Sequence, residues 1–388
     1  MKSANRCSLF LLIAIISLLQ ACGVADRGVN GSMESLPLKQ VSLEMKDHKS
    51  TEQEITFSAI GDILIHSPVY KDAMIDGGYD FSPMLEEVKP FLSSPTLTVA
   101  NQETMIGGEQ LGLSSYPSFN SPYEVGDALK AAGVDVVTLA NNHTLDRGEE
   151  AIQNAINHWE MIDMMYTGAY KNEQDQDNLR VYETEEGVSI AFLSYTYGTN
   201  GIPVPEGKGY LVNIIDKDLI ASQIAEAKDK ADVIALSLHF GNEYERLPNE
   251  TQKELVQFAA DQGVHVVIGH HPHVLQPVEW VTGENGNKTL VAYSLGNFLS
   301  NQQDLYQRIG GVLTFSIKKT VAGNDKEIEV HSPQFMPTYV NFNADRSDYK
   351  VIPMYQLTDN ELADAKKRYS DMKAHMSRWM PELEFIEQ

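Results

Sequence analysis

Cysteine is nearly absent from this chain: of 388 residues only Cys7 and Cys22 are cysteines. Both fall within the first 22 positions, so the rest can form no disulfide, and its stability must come from packing and from any metal it binds. Positive charge is scarce as well. Thirty Lys and Arg stand against 54 Asp and Glu, a net charge of −24, and such a surface repels nucleic acid and anionic headgroups within a Debye length. Nucleic acid is therefore excluded as a partner, and solubility is the simplest use of the charge. A polyanion would have to be met through local cations such as bound metal. Internal repeats and low-complexity tracts are absent too.

Long apolar runs are confined to the start. Ser8 to Leu19 is too short to span a bilayer comfortably. Lys2 and Arg6 precede it and Leu19-Gln20-Ala21-Cys22 follows, the order of basic region, apolar region and small residue found in a secretory signal. Leu-x-Ala-Cys at that boundary resembles a bacterial lipobox, in which Cys22 is diacylated and becomes the first mature residue. The expectation is a signal peptide over residues 1–21 and an acylated Cys22 with a polar spacer over 22–53. The folded part would then be tethered to the bacterial cell membrane, outside the cytoplasm, by that N-terminal lipid anchor. Loss of residues 1–21, which hold Lys2, Arg6 and no acid, takes the net charge to −26.

What is plentiful is apolar sequence in short runs, and a hydrophobic content of 42% in a chain this long suffices for a sizeable core. From Glu54 onward strand-like runs alternate with helical patterns, the order of βαβ units and a largely parallel sheet. Ser121-Pro-Tyr-Glu124 reads as a capping box opening a helix that ends near Gly133. Helical spacing also covers Glu149 to Asp163, Leu219 to Ala231, and a stretch capped by Asn249 that runs through Gln252 to Gly263. Gly310 to Lys319 and Glu327 to Val340 alternate as antiparallel strands around a turn at Gly323-Asn-Asp325, and are expected to complete a second sheet. A last helix, capped by Thr358 with Glu361 at its third position, is expected over Leu362 to Met376. A core over 54–300 and C-terminal strands and helix over 301–388 would thus make one domain.

Six of the eleven histidines stand just past the ends of the apolar runs. Ile55 to Ile60 leads to Gly61-Asp62 and His66, Leu97 to Ala100 leads to Asn101-Gln102-Glu103, and Val134 to Ala140 leads to Asn141-Asn142-His143. Val233 to Leu238 leads to His239, Val264 to Ile268 to Gly269-His270-His271-Pro272-His273, and Leu290 to Tyr293 to Gly296-Asn297. Strand ends in an open α/β sheet are where distant stretches converge on one crevice. Hydrolytic divalent metals need oxygen or imidazole ligands, an open position for water and often a second metal nearby. Asp62, Glu103, Asn142, His239, His271 and His273 supply that set from five strand ends, and imidazoles favour zinc, iron or manganese over calcium. His143 and His66 are left for proton transfer or for holding a phosphoryl group. Asn101, Asn141, Glu243, Tyr244, His270 and Asn297 are candidates to touch substrate or to orient the ligands. His265 reads as a core residue, His48, His158, His331 and His375 as surface groups, and Asp146 and Gly148 as turn and cap residues.

Taken in order, Gly61-Asp62 with His66, Asn101-x-Glu103, Ala140-Asn-Asn-His143-x-x-Asp146-x-Gly148 and His239-Phe-Gly-x-Glu243-Tyr244 form the first part of a signature. Gly269-His-His-Pro-His273-Val-x-Gln276-Pro277-x-Glu279 and Tyr293-Ser-Leu-Gly-Asn297-Phe298 complete it. Together they resemble the CapA/PgsA family of poly-γ-glutamate capsule proteins over most of residues 55–300. The resemblance implies a calcineurin-like metallophosphoesterase fold: α/β, a four-layer αββα sandwich of two mixed sheets, with one or two divalent metal ions such as manganese, zinc or iron. It implies Asp62 as the first-strand metal ligand, Glu103 in the place of a bridging aspartate, and Asn142 as an amide ligand. His143 becomes the acid that protonates a leaving group, His239 the isolated ligand, and His271 with His273 the terminal pair; Asp62 and His143 are the expected catalytic residues. Three features depart from that pattern: His66 lies four residues after Asp62 instead of two, Glu replaces the bridging Asp, and His270 stands in place of a Gly. The implied function is a surface-tethered part in poly-γ-glutamate synthesis, export or anchoring, alongside other capsule-synthesis membrane proteins. An extracytoplasmic phosphoesterase acting on a cell-envelope phosphate ester and a non-catalytic scaffold are the alternatives.

Overall fold

The computed structural model describes residues 50–387, so the expected signal sequence, Cys22 and nearly all of the expected spacer lie outside the described residues. Thr51–Ile63 opens the fold as a strand whose side chains divide between two cores. Ile55, Phe57 and Ala59 face one core, and Ile60 and Ile63 face another. The Val233–His239 strand divides likewise, Val233 and Ala235 to the first of these cores and Ile234, Leu236 and Leu238 to a third. Where a strand is covered on both faces, as from Phe57 to Ile63 and over Val233–His239, it has no polar face to show, which is why these stretches are mostly apolar.

Among the described residues there are two large mixed sheets. The first runs Lys350–Pro353, Asp325–Asn341, Ile309–Ala322, Thr51–Ile63, Leu97–Gln102, Val136–Thr138, Met165–Thr167, with Asn297–Leu299 pairing parallel to Thr51–Ile63. The second runs Leu275–Thr282, Lys288–Leu295, Val266–His270, Val233–His239, Ser189–Thr196, Arg180–Glu183. Between them Phe57 of the first sheet stacks on Phe315 at 4.8 Å and tilts against Phe192 of the second at 6.1 Å. Helices Glu124–Ala132 and Gly148–Met161 cover the outer face of the first sheet with Leu129, Ile152, Ile156 and Trp159. Lys217–Lys230 and Glu250–Asp261 cover the second with Ile220, Ile224 and Val256. The layers are helix, sheet, sheet, helix, the αββα sandwich.

Local signals were followed where their partners stayed local. Asn249 and Gln252 form the reciprocal capping box, and Gly133 ends its helix in the left-handed region at φ 104. Elsewhere tertiary contacts took precedence. The C-terminal hairpin forms, with Ala322 opposite Asp325, but it joins the first sheet: Ile309–Ala322 pairs antiparallel with Thr51–Ile63 from Thr51 opposite Val321 to Ile60 opposite Val312. Phe315 and Ile317 share the inter-sheet core with Ile55 and Phe57, and extending that sheet buries them there. Ser121 caps no helix; its Oγ donates to Thr104 Oγ1 at 2.9 Å. Thr358 and Glu361 bond each other in a turn, and the last helix begins at Ala365. His158 is buried, not at the surface, with Nε2 2.9 Å from Asp127 and its ring stacked on Tyr123 at 4.8 Å.

The two sheets are joined where the chain passes from Lys288–Leu295 to Asn297–Leu299. Asp62 N donates to Gly296 O at 2.8 Å, and a Cβ on Gly61 would lie 2.0 Å from that same oxygen. This approach of two backbones sets the ends of Thr51–Ile63 and Leu97–Gln102 beside those of Val233–His239 and Val266–His270.

Candidate metal centre

Asp62 lies one residue before the end of its strand, just past an irregularity in the pairing with Leu97–Gln102, and is completely buried. Its Oδ1 accepts from Asn101 Nδ2 at 2.8 Å and lies 3.1 Å from His270 Nδ1, while Oδ2 lies 3.1 Å from His273 Nδ1. Burial works to raise its pKa, but the hydrogen bonds to His270 and His273 outweigh it and hold the carboxyl well below the usual range. An ionised Asp62 thereby ties together strand ends from both sheets.

Glu103 lies one residue past Leu97–Gln102, and both of its carboxylate oxygens are buried without a hydrogen-bond partner. Oε1 stands 3.5 Å from His239 Nε2 and 3.6 Å from His273 Nε2. Burial pushes the Glu103 carboxyl up to about 7. His273 is depressed by burial, yet Glu103 and then Asp62 raise it to about 9, whereas burial keeps His239 and His271 far below the usual imidazole range and uncharged. His271 Nδ1 is likewise buried with no partner. His271 and His273 hold positive φ, 94° and 56°, backbone states that side chains rarely adopt and that cost about 1–3 kcal/mol each.

Ligand atoms of Glu103, His239 and His271 all lie within 4.8 Å of one another, and so do those of Asp62, Glu103 and His273. Glu103 is common to both triads. A buried carboxylate with no donor, facing imidazoles of which one has an orphaned nitrogen, is a costly arrangement that a divalent cation satisfies in one step. The donor set therefore fits such an ion. Asn142 borders the triad of Glu103, His239 and His271: its Oδ1 is 2.7 Å from His239 Nε2 and its Nδ2 donates to Asn200 Oδ1 at 3.2 Å, which fixes which end of the amide faces the histidine.

His143 Nδ1 lies 2.7 Å from Asp146 Oδ2, and the same oxygen accepts from Phe119 N at 2.7 Å. Asp146 therefore orients His143 in addition to shaping the turn, and Nε2 is the ring atom left for proton exchange. Asn141 builds the turn beneath, accepting from His143 N at 2.9 Å and donating to Gln102 O at 3.0 Å. His66 belongs to neither triad. The chain has by then reached the cap of the Ser67–Asp72 helix, where His66 Nδ1 sits 3.0 Å from Leu64 O and 3.3 Å from Asn301 N, and burial lowers it to about 4. Phe119 lies edge-on between it and His143, at 5.2 and 4.7 Å. Asn297 supports the crevice from behind, donating to Gln302 Oε1 at 2.9 Å and Gln307 O at 2.8 Å. Glu243 and Tyr244 stand at the exposed rim, where Tyr244 N donates to Pro272 O at 2.8 Å.

Sequence reasoning passed over Asn200 and Tyr197. Tyr197, 46% exposed, lies 4.6 Å from the His271 ring, and Asn200 touches both Asn142 and His143. Both follow the Ser189–Thr196 strand, so the rule that located the other residues, polar groups just past an apolar run, would have found them had that run been included.

Residues 56–302 match a family described as bacterial capsule synthesis protein PGA_cap. The chain is 31% identical over 265 residues to the capsule biosynthesis protein CapA of Bacillus anthracis, spanning 66% of this chain and 62% of that one. It is 30% identical over 212 residues to the PGA biosynthesis protein CapA of Bacillus subtilis strain 168, spanning 52% and 53%. The matches thus cover little more than half the length of these relatives. Among solved structures, a Staphylococcus aureus protein proposed to be a 5'-nucleotidase, in complex with alpha-ketoglutarate, aligns with a TM-score of 0.42 and 13% identity over 82% of this chain and 58% of that one.

Proposed function

This chain belongs to the PGA_cap family of bacterial capsule synthesis proteins, and from that premise we propose that it acts in the synthesis, export or anchoring of a poly-γ-glutamate capsule, with its strand-end crevice serving as a divalent-metal hydrolase-type site. The observation that carries the metal reading is the Glu103 carboxylate, buried with no donor and shared by two triads of ligand atoms. Asp62, Glu103 and His273 would hold one ion, and Glu103, His239 and His271 with the Asn142 amide oxygen would hold another. A bound divalent cation supplies Lewis acidity, a water of lowered pKa and positive charge toward an anionic polymer. The chain's own residues do the rest: His143 holds a proton at Nε2 in an orientation fixed by Asp146, and Tyr197 shields His271 from solvent. Anchoring at the membrane through an acylated Cys22 would place this site at the cell surface, beside other capsule-synthesis membrane proteins.

Deleting the gene is expected to lower surface poly-γ-glutamate, wild type to restore it, and His239→Ala to be exported in normal amount without restoring it. Polymer unchanged by the deletion would end the capsule reading. In the same strain, Cys22→Ser protein is expected in the medium instead of the membrane fraction.

A second reading, an extracytoplasmic metal-dependent phosphoesterase, is favoured by the His143–Asp146 pair, which has the geometry of an oriented general acid. Asp146→Asn is expected to lower turnover of a chromogenic phosphoester by the manganese-loaded protein at least about a hundredfold while metal content stays unchanged. Absence of turnover by wild type with any divalent metal argues against this chemistry.

A further inference from the structure

The loop that leaves Val233–His239 brings one more carboxylate to the mouth of the crevice. Glu243 is exposed, yet an oxygen of its carboxylate and one ring nitrogen each from His271 and His273 all lie within 4.8 Å of one another. The loop is held to the histidine segment by backbone groups on both sides. Tyr244 N, at φ 66, donates to Pro272 O at 2.8 Å, between the two histidines. Glu245 O accepts from Gln276 Nε2 at 2.7 Å, and Gln276 is itself held by Gln252 at 2.9 Å. Positions 243–245 are therefore fixed against 272–276, and the carboxylate reaches the imidazoles from a braced backbone.

Two imidazoles and one carboxylate form a ligand set suited to zinc, manganese or iron. His271 brings to it a buried, unpartnered nitrogen. We propose that Glu243 is a metal ligand, which with His271 and His273 closes the crevice cation from the solvent side. The assignment rests on the metal reading of the site. His271 and His273 each belong also to an inner triad, so Glu243 extends the same ligand cluster toward solvent.

The test is calorimetric titration of metal-depleted full-length protein with manganese(II) and with zinc(II), together with metal content after dialysis, for wild type, Glu243→Gln, Glu243→Asp and His239→Ala. Glu243→Gln is expected to bind at least about tenfold more weakly than wild type, with the thermal midpoint of the metal-free protein unchanged. Glu243→Asp, which keeps the charge but shortens the reach, is expected to weaken binding too; full affinity in the Asp variant would mean that charge alone matters and would overturn ligation. Wild-type affinity in Glu243→Gln alongside loss in His239→Ala overturns the Glu243 assignment and leaves the metal centre standing. No binding by wild type overturns the metal centre itself.

Discussion

Replacing Glu103 with Gln is expected to strip the protein of most of its metal and, unusually for a buried polar substitution, to make the metal-free protein more stable at pH 8. The folded Glu103 carboxyl lies near 7 against an ordinary value of 4.5, because burial opposes its charge. A raised carboxyl binds its proton more tightly in the folded than in the unfolded chain. Its stabilising contribution is therefore complete below the unfolded value and is lost as pH rises through about 7, a change of about 3 kcal/mol at most. His273, raised to about 9, acts in the same sense: its contribution is full below the ordinary imidazole value of 6.5 and is lost as pH climbs through about 9. Asp62, held low, weakens the fold only in acid. Below about pH 6.5 the depressed His66, His239 and His271 act in the opposite sense, favouring the folded protein as pH rises, so the loss of stability in metal-free wild type should appear between about pH 7 and pH 9. Glu103→Gln should flatten that slope twice over, by removing its own carboxyl and by removing the group that most raises His273. Added manganese should flatten the slope in wild type alone. Chemical denaturation across that pH range, with chelator and with metal, reads all of this. A Glu103→Gln protein less stable than wild type at pH 8 without metal would sink the account.

Alanine at Gly61 or at Gly269 is expected to destabilise the protein by about 3 kcal/mol or more, or to prevent folding. A Cβ at Gly61 would stand 2.0 Å from Gly296 O and 2.7 Å from Leu295 O; at Gly269 it would stand 2.0 Å from Tyr293 O. Every one of these obstacles is backbone in the core of a sheet, so none can rotate away. The glycines sit directly before Asp62 and before His270, and the close approach they permit is what sets the ligand-bearing strand ends against one another. Gly198→Ala, whose Cβ would meet nothing within 4 Å, is the control and should change stability by no more than about 0.5 kcal/mol. Denaturation midpoints decide the matter: equal stability in all three variants would show that the sheets can shift to admit a methyl group.

The candidate site was readable from sequence to the extent that its residues obey a local rule. Asp62, Glu103, His239 and His271 all follow apolar runs, and a strand announces its end by the loss of that pattern. The helices showed themselves through spacing, and Asn249 with Gln252 through a cap that closes on itself. Asp146 does shape the turn, as its position suggests, but its second role could not be seen, because a His and an Asp three positions apart carry no sign of whether their side chains meet; they do, at 2.7 Å. Ser121 and Thr358 matched capping spacing, but Ser121 found Thr104 and Thr358 closed a turn. The hairpin after Gly310 was recognisable as a hairpin, while its choice of sheet depended on which core had room for Phe315.

The amino-acid sequence by itself determined the strands, most of the helices, the kinds of ligand and their order along the chain, because periodicity, capping and residue chemistry act over a few positions. Only the tertiary structure decided which ligands meet. Asp62 and His270 are 208 residues apart and lie 3.1 Å from each other, and it is the packing of two sheets at Gly61 and Gly296 that brings them together. The charge state of the site was decided there too. A carboxylate such as Glu103 loses its water and gains no donor only when a fold closes around it, and that desolvation, which no spacing of residues encodes, is what makes it a place for a cation.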